Sequence, residues 1–218
     1  MPVCNRNLLI SFVKKAFTVL AILSFVSGCS YKTRLEPNMN LTKNENRKFP
    51  YTLAIDGRSL SRKELTADPG AVKLTVEYGD ALLESLKNKL SHNFDNVYII
   101  TSDSDIAGYD YVMSIDHQVN GTCGGTSCIF NSETYVSLAN NKSNAEILSD
   151  TFIDAVQYQQ PGSASALGIM TGLTLMVFSP ITLPIALQLE GDEFREQVSA
   201  ANDRIAMKIS NAVIRAKF

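Results

Sequence analysis

Val72-Lys73-Leu74-Thr75-Val76-Glu77-Tyr78-Gly79-Asp80-Ala81-Leu82-Leu83 is where the chain changes its period. Val72, Leu74, Val76 and Tyr78 alternate with Lys73, Thr75 and Glu77, the period of two that marks a strand with one wetted face. Gly79-Asp80 breaks that alternation and offers an N-cap. Leu82, Leu83, Leu86, Leu90 and Phe94 then recur at helical spacing, with Glu84, Lys87, Lys89 and His92 on the other side. A strand that feeds directly into an amphipathic helix predicts an α+β fold.

The flanking segments extend this pattern. Upstream, Tyr51-Thr52-Leu53-Ala54-Ile55-Asp56 reads as a short strand. Downstream, Val97-Tyr98-Ile99-Ile100 reads as a buried strand, followed by a turn at Thr101–Asp105 and a strand over Tyr109–Val119. Ile129–Leu138 and Glu146–Tyr158 complete an expected antiparallel meander, although Glu146–Val156 can also be read as partly helical. Over Asp192–Ala216, Phe194, Val198, Ala201, Ile205, Ile209, Ala212, Val213 and Ala216 form one stripe of a final helix, with Arg195, Glu196, Arg204, Lys208 and Arg215 off it. The expected architecture is a two-layer sandwich, a mostly antiparallel sheet with both amphipathic helices on one face. An apolar helical segment precedes the last helix.

The amino-terminal end carries an address. Arg6, Lys14 and Lys15 precede the apolar run Ala16–Phe25, which exits through Val26-Ser27-Gly28-Cys29. Basic start, short apolar core and small-residue exit describe a secretory signal peptide, too short to span a bilayer. Val26-Ser27-Gly28-Cys29 resembles the lipobox of bacterial lipoproteins, with Val where Leu is commoner. That resemblance implies cleavage before Cys29, diacylglycerol on its thiol and a further acyl chain, such as palmitate, on the new amino terminus. By resemblance to enterobacterial lipoproteins, Ser30 in place of Asp implies transfer to the outer membrane, with the body facing the periplasm.

Residues 1–28 are thus expected to be a signal peptide. Residues 29–50, polar and Asn-rich, are expected to be a flexible tether, and residues 51–218 a single domain that includes the apolar segment 164–189. Removal of the signal peptide with its three basic residues leaves 17 basic against 22 acidic residues over 190 positions. An acidic body with no basic cluster excludes nucleic acid as a partner.

Of the remaining cysteines, Cys123 and Cys128 flank Gly124-Gly125 and, in an oxidising compartment, read as a local disulfide at a hairpin tip. Adding His117 makes a three-ligand set that matches no common zinc pattern.

Between Asp154 and Glu190 there is no charged residue. Ala164, Gly168 and Gly172 recur every four residues, with Leu175 and Phe178 following, so the segment is a candidate for membrane or oligomer contact. Packing on the protein's own sheet is the other reading. Pro180 and Pro184 count against one straight spanning helix.

No catalytic constellation is legible, and neither a cofactor nor a metal is expected. There is no Gly-x-Ser-x-Gly elbow, phosphate loop or His-Glu-x-x-His. His92 and His117 read as structural, Asp103 and Asp105 as a turn, glycines 121, 124 and 125 as turn geometry, and the tyrosines as strand packing. The order of elements over Val72–Val119, with the Val76–Leu82 entry to the helix, resembles the small α/β lipoproteins of envelope assembly, such as the lipopolysaccharide-assembly lipoprotein and the TolB amino-terminal domain. It implies a non-enzymatic lipoprotein that docks on an envelope protein or polymer. Thr52–Asp56 and Glu133–Leu138 are the expected docking edges. A membrane-inserting homo-oligomer built on segment 164–189 is the alternative.

Overall fold

The structure is a computed structural model, and it describes residues 29–38, 48–68, 72–101, 106, 108–159 and 179–218. Its elements are β1 (Cys29–Arg34), β2 (Phe49–Asp56), β3 (Glu64–Ala67), β4 (Val72–Glu77), α1 (Gly79–Leu90), β5 (Phe94–Ile100), β6 (Tyr111–Gly124), β7 (Ser127–Asn140), β8 (Glu146–Gln159) and α2 (Ser179–Arg215). The class is α+β, with two helices and two sheets among the described residues. One sheet runs β1-β4-β3 and the other β5-β2-β6-β7-β8.

β6, β7 and β8 form the expected antiparallel meander, but both sheets are mixed, a departure from the expected mostly antiparallel sheet. β2 lies between β5 and β6 and is parallel to both, while β6, β7 and β8 are antiparallel neighbours. β4 pairs in parallel with β1 and antiparallel with β3. The parallel pairs arise from crossovers: the chain leaves β2, builds β3, β4 and α1, and returns through β5 along β2.

Two apolar clusters hold the layers. In the first, Leu53, Ile55, Tyr111, Met113, Ile115, Val136 and Leu138 of the larger sheet meet Leu82, Leu83, Leu86 and Leu90 of α1 and Ile205, Ile209 and Val213 of α2. In the second, Leu65, Leu74 and Val76 of the smaller sheet and Cys128, Phe130, Val156 and Tyr158 of the larger one meet Phe194, Val198 and Ala201 of α2. α2 therefore runs through both clusters, its first buried turns in one and its last in the other.

Several boundaries differ from expectation for local reasons. α1 stops at Leu90, and Phe94, which continues the helical spacing, instead opens β5. Asp80 is not the cap: Tyr78 holds that position, and Asp80 sits in the first turn, accepting from the Arg62 N–H and pairing with Arg34 at 2.7 Å. Glu146–Gln159 is one 14-residue strand throughout.

The expected tether is the largest difference at the amino end. β1 begins at Cys29, in register with Val72, and continues to Arg34 beside Glu77. Leu35 is buried and its N–H bonds to the Glu77 carbonyl, and the Asn38 N–H reaches Ser85 Oγ at 3.1 Å. Tyr31, Thr33 and Leu35 alternate with Lys32 and Arg34, a period of two hidden under a polar composition. Residues 29–38 are thus part of the folded body rather than slack chain.

The disulfide forms as expected. Cys123 and Cys128 are directly opposed across the β6–β7 hairpin, with a Cα–Cα distance of 4.0 Å. Gly125, at φ 62°, supplies the left-handed residue of the tight turn. Closing so small a loop stabilises by about 2 kcal/mol in the chain-entropy picture. Urea melts with and without reductant are expected to differ by that amount, and amide exchange on reduction to rise chiefly over residues 119–130.

Candidate functional site

Two regions combine position with chemistry: a buried polar cluster beneath β6 and β7, and the free edges of the larger sheet.

The cluster centres on His117. Alternation along β6 turns Tyr111, Met113, Ile115 and His117 inward, and His117 is 2% exposed. Its Nδ1 is 2.7 Å from Oγ1 of Thr134, the residue directly opposite on β7, which is also fully buried. The Tyr78 ring meets the imidazole edge-on, with centroids 5.5 Å apart, and the Lys63 ammonium donates to the His117 carbonyl. Burial, with the Lys63 charge as a second cause, holds the His117 pKa down to about 4, while Asp116 acts in the opposite sense. Burial pushes the Tyr78 phenol well above its ordinary value. Both rings are therefore neutral across the physiological range.

The surrounding space is lined mainly by Leu65, Val119, Phe130, Val156, Val198 and Ile205 and amounts to about 20 Å³. That holds a single water and is far below the roughly 300 Å³ at which small-molecule pockets begin. Ser132, at its rim, donates to the Asp154 carbonyl at 3.2 Å. The cluster's observable chemistry is a satisfied hydrogen bond between two strands.

The edges differ in how they are finished. β8 is an edge strand, and α2 reaches across it: Arg204 donates to the Ala155 carbonyl at 3.2 Å and Lys208 to the Ile153 carbonyl at 2.8 Å, and both pair with the Asp154 carboxylate. The Thr151 N–H bonds to Asp150 Oδ1 at 2.8 Å. Three outward backbone groups, the Thr151 N–H and the Ile153 and Ala155 carbonyls, are thus occupied, a recognised way of keeping an edge from pairing. β5, the opposite edge, carries no equivalent cap among the described residues. The expected docking edges, Thr52–Asp56 and Glu133–Leu138, are corrected: they lie in β2 and β7, each one strand in from an edge.

Among the described residues, no three His, Cys, Asp or Glu side chains converge on a metal position. His92 is exposed just beyond α1. Asp103, Asp105, Ala164, Gly168, Gly172, Leu175 and Phe178 lie outside the described residues. Cys29 is the first residue of β1. No described helix is long and apolar enough to cross a membrane.

The sequence matches no protein-family profile and no curated protein. Among solved structures, the fold is similar to a Xanthomonas campestris protein described under the family DUF330, with a TM-score of 0.50 and 12% identity over 84% of this chain and 95% of that one. A minor lipoprotein from Acinetobacter baumannii aligns at a TM-score of 0.39 with 12% identity over 76% of this chain and 95% of that one. An uncharacterised lipoprotein B from Nitrosomonas europaea aligns at 0.41 with 8% identity over 80% and 88%. The first of these likenesses marks a shared fold, and a shared fold does not specify an activity.

Proposed function

We propose that this chain is a bacterial lipoprotein, acylated on Cys29, whose body is a non-enzymatic docking module of the envelope. In this reading it is carried on the periplasmic face of the outer membrane, consistent with Ser30, and serves assembly or transport by holding an envelope protein or polymer. The lipobox residues Val26–Cys29 support the anchor.

The contrast between the two sheet edges is the observation that carries the docking assignment. α2 and Asp150 occupy three outward backbone groups of β8 between Thr151 and Ala155, whereas β5 presents seven residues, Phe94–Ile100, without such a cap among those described. An extended segment of a partner would add to β5 through main-chain hydrogen bonds, with exposed Tyr98 beside it as an anchor.

Backbone alternation tests this. The Ile100 carbonyl accepts from Gly57 on the β2 side, so beyond the register shift between Phe49 and Thr52 the odd-numbered residues Val97 and Ile99 present their N–H groups outward. Ile99→Pro removes one outward donor at a half-buried position, where proline is tolerated on an edge. The lipidated protein purified from membranes is expected to lose its specific companion with Ile99→Pro and to keep it with Thr151→Pro on the capped edge. Equal retention by both variants refutes docking on β5. Mass spectrometry of the mature amino terminus tests the anchor separately.

A further inference from the structure

We infer that the first three turns of α2, Ser179–Leu189, enter one leaflet of the membrane beside the acyl chains of Cys29, so that the body is held at two points in a fixed orientation. This rests on the reading of Cys29 as lipid-bearing.

The placement comes from long-range contacts. A Cβ on Gly191 would lie 2.3 Å from the Tyr31 ring, and the Tyr31 hydroxyl donates to Asp192 at 3.3 Å. Seven residues further along the chain, the Asn38 amide donates to Asp203. β1 and α2 therefore run side by side in the same direction, and the chain preceding Tyr31 lies beside the chain preceding Gly191. Cys29 is two residues back, roughly 7 Å at strand rise, which is the level of about Leu187 on a helix. Residues 179–187 extend about 13 Å beyond that level, within the roughly 15 Å of one hydrocarbon leaflet.

Charge divides at the same level. No charged residue occurs from Ala155 to Leu189, and then Glu190, Asp192, Glu193 and Arg195 follow. Leu189, the last apolar residue before that boundary, is 56% exposed. Tyr31, at the boundary with its hydroxyl on Asp192, has the amphipathic character of an interfacial aromatic. The β6–β7 hairpin reaches the same end, because Cys128 is opposite Tyr158 and the Tyr158 ring packs on Phe194 at 5.3 Å. Its residues Gln118–Ser132 are uncharged, with Ile129 45% exposed. Hence an uncharged hairpin and an uncharged helix start share the end of the fold from which the lipidated residue emerges.

The test uses full-length mature protein and vesicles of phosphatidylethanolamine and phosphatidylglycerol. A fluorophore on Gln188→Cys in the acylated protein is expected to be quenched by brominated lipids, while one on Ser143→Cys, in the β7–β8 turn at the opposite end, is not. Cys29→Ser protein is expected to retain vesicle binding that falls about tenfold when Ile185→Glu and Leu189→Glu are added. Circular dichroism and the melting temperature are expected to stay unchanged. Equal quenching at the two labels with Cys29 acylated overturns the insertion and leaves the anchor intact. So does a double variant that alters mass by light scattering but not vesicle binding, which would make a second copy the occupant. An unmodified Cys29 in the native protein overturns both the insertion beside acyl chains and the reading beneath it.

Discussion

Gly79→Ala is expected to destabilise the protein by about 4 kcal/mol, against the sign that helix propensity assigns it. Gly79 is the first residue of α1, and exchanging glycine for alanine within a helix ordinarily stabilises by about 1 kcal/mol. Here an added Cβ would fall 1.8 Å from the Leu60 carbonyl oxygen and 3.0 Å from the Lys63 nitrogen, both backbone atoms. The turn that carries them cannot yield without loss, because the Leu60 carbonyl accepts from Lys63 and the Lys63 carbonyl accepts from Tyr78 and Gly79. Moving it also disturbs Leu60, which is fully buried in the core. Overpacking therefore outweighs propensity. For a domain of this size the melting temperature should fall by about 12 °C. Gly124→Ala, where a Cβ meets nothing within 4 Å, is the control and should change stability by less than about 0.5 kcal/mol. A neutral or stabilising Gly79→Ala would mean that the Gly57–Lys63 turn is not held as described.

The same residues show why part of the fold is legible in sequence and part is not. Leu74 and Val76 announce β4, and Leu82, Leu83, Leu86 and Leu90 announce α1, because each pattern is a local periodicity that burial enforces on one face. The Cys123–Cys128 pair is legible for the same reason, since its geometry closes within one hairpin. β1 is obscured because Lys32 and Arg34, which face outward to Glu64 and Asp80, dominate its composition. β8 imitates a helix because Glu146, Asp150 and Asp154 are spaced by four, although all three belong to one strand. Which strands are edges depends on the β2–β5 crossover and on α2 lying along β8, pairings separated by about 40 to 50 residues that no local pattern carries. The candidate docking edge and the common level of Cys29 and Leu187 are legible only once those long-range pairings are in place.

Stability should decline as pH falls from 6.5 to about 4, and His117→Gln should remove most of that slope. The unfolded imidazole titrates near 6.5, whereas in the fold burial and the nearby Lys63 charge hold His117 to about 4. Between those values the unfolded chain binds a proton that the folded one does not, so acid favours unfolding. The contribution is complete above 6.5, decreases through the interval and levels off below about 4, where both states are protonated. A gap of this size corresponds to about 3 kcal/mol. The neutral ring is fixed on Thr134 at 2.7 Å, and Thr134→Val strands its Nδ1 in an apolar setting, at a cost of about 1–3 kcal/mol at neutral pH. Carboxylates such as Asp56, whose pKa is lowered by its bond to Arg58, contribute their own losses as pH falls through their folded values. The informative quantity is therefore the difference between wild type and His117→Gln in urea midpoint measured from pH 7.5 to 4. That difference should narrow steadily below 6.5. A constant offset at every pH would place His117 in contact with solvent and remove the buried cluster beneath β6 and β7 from the account of the fold.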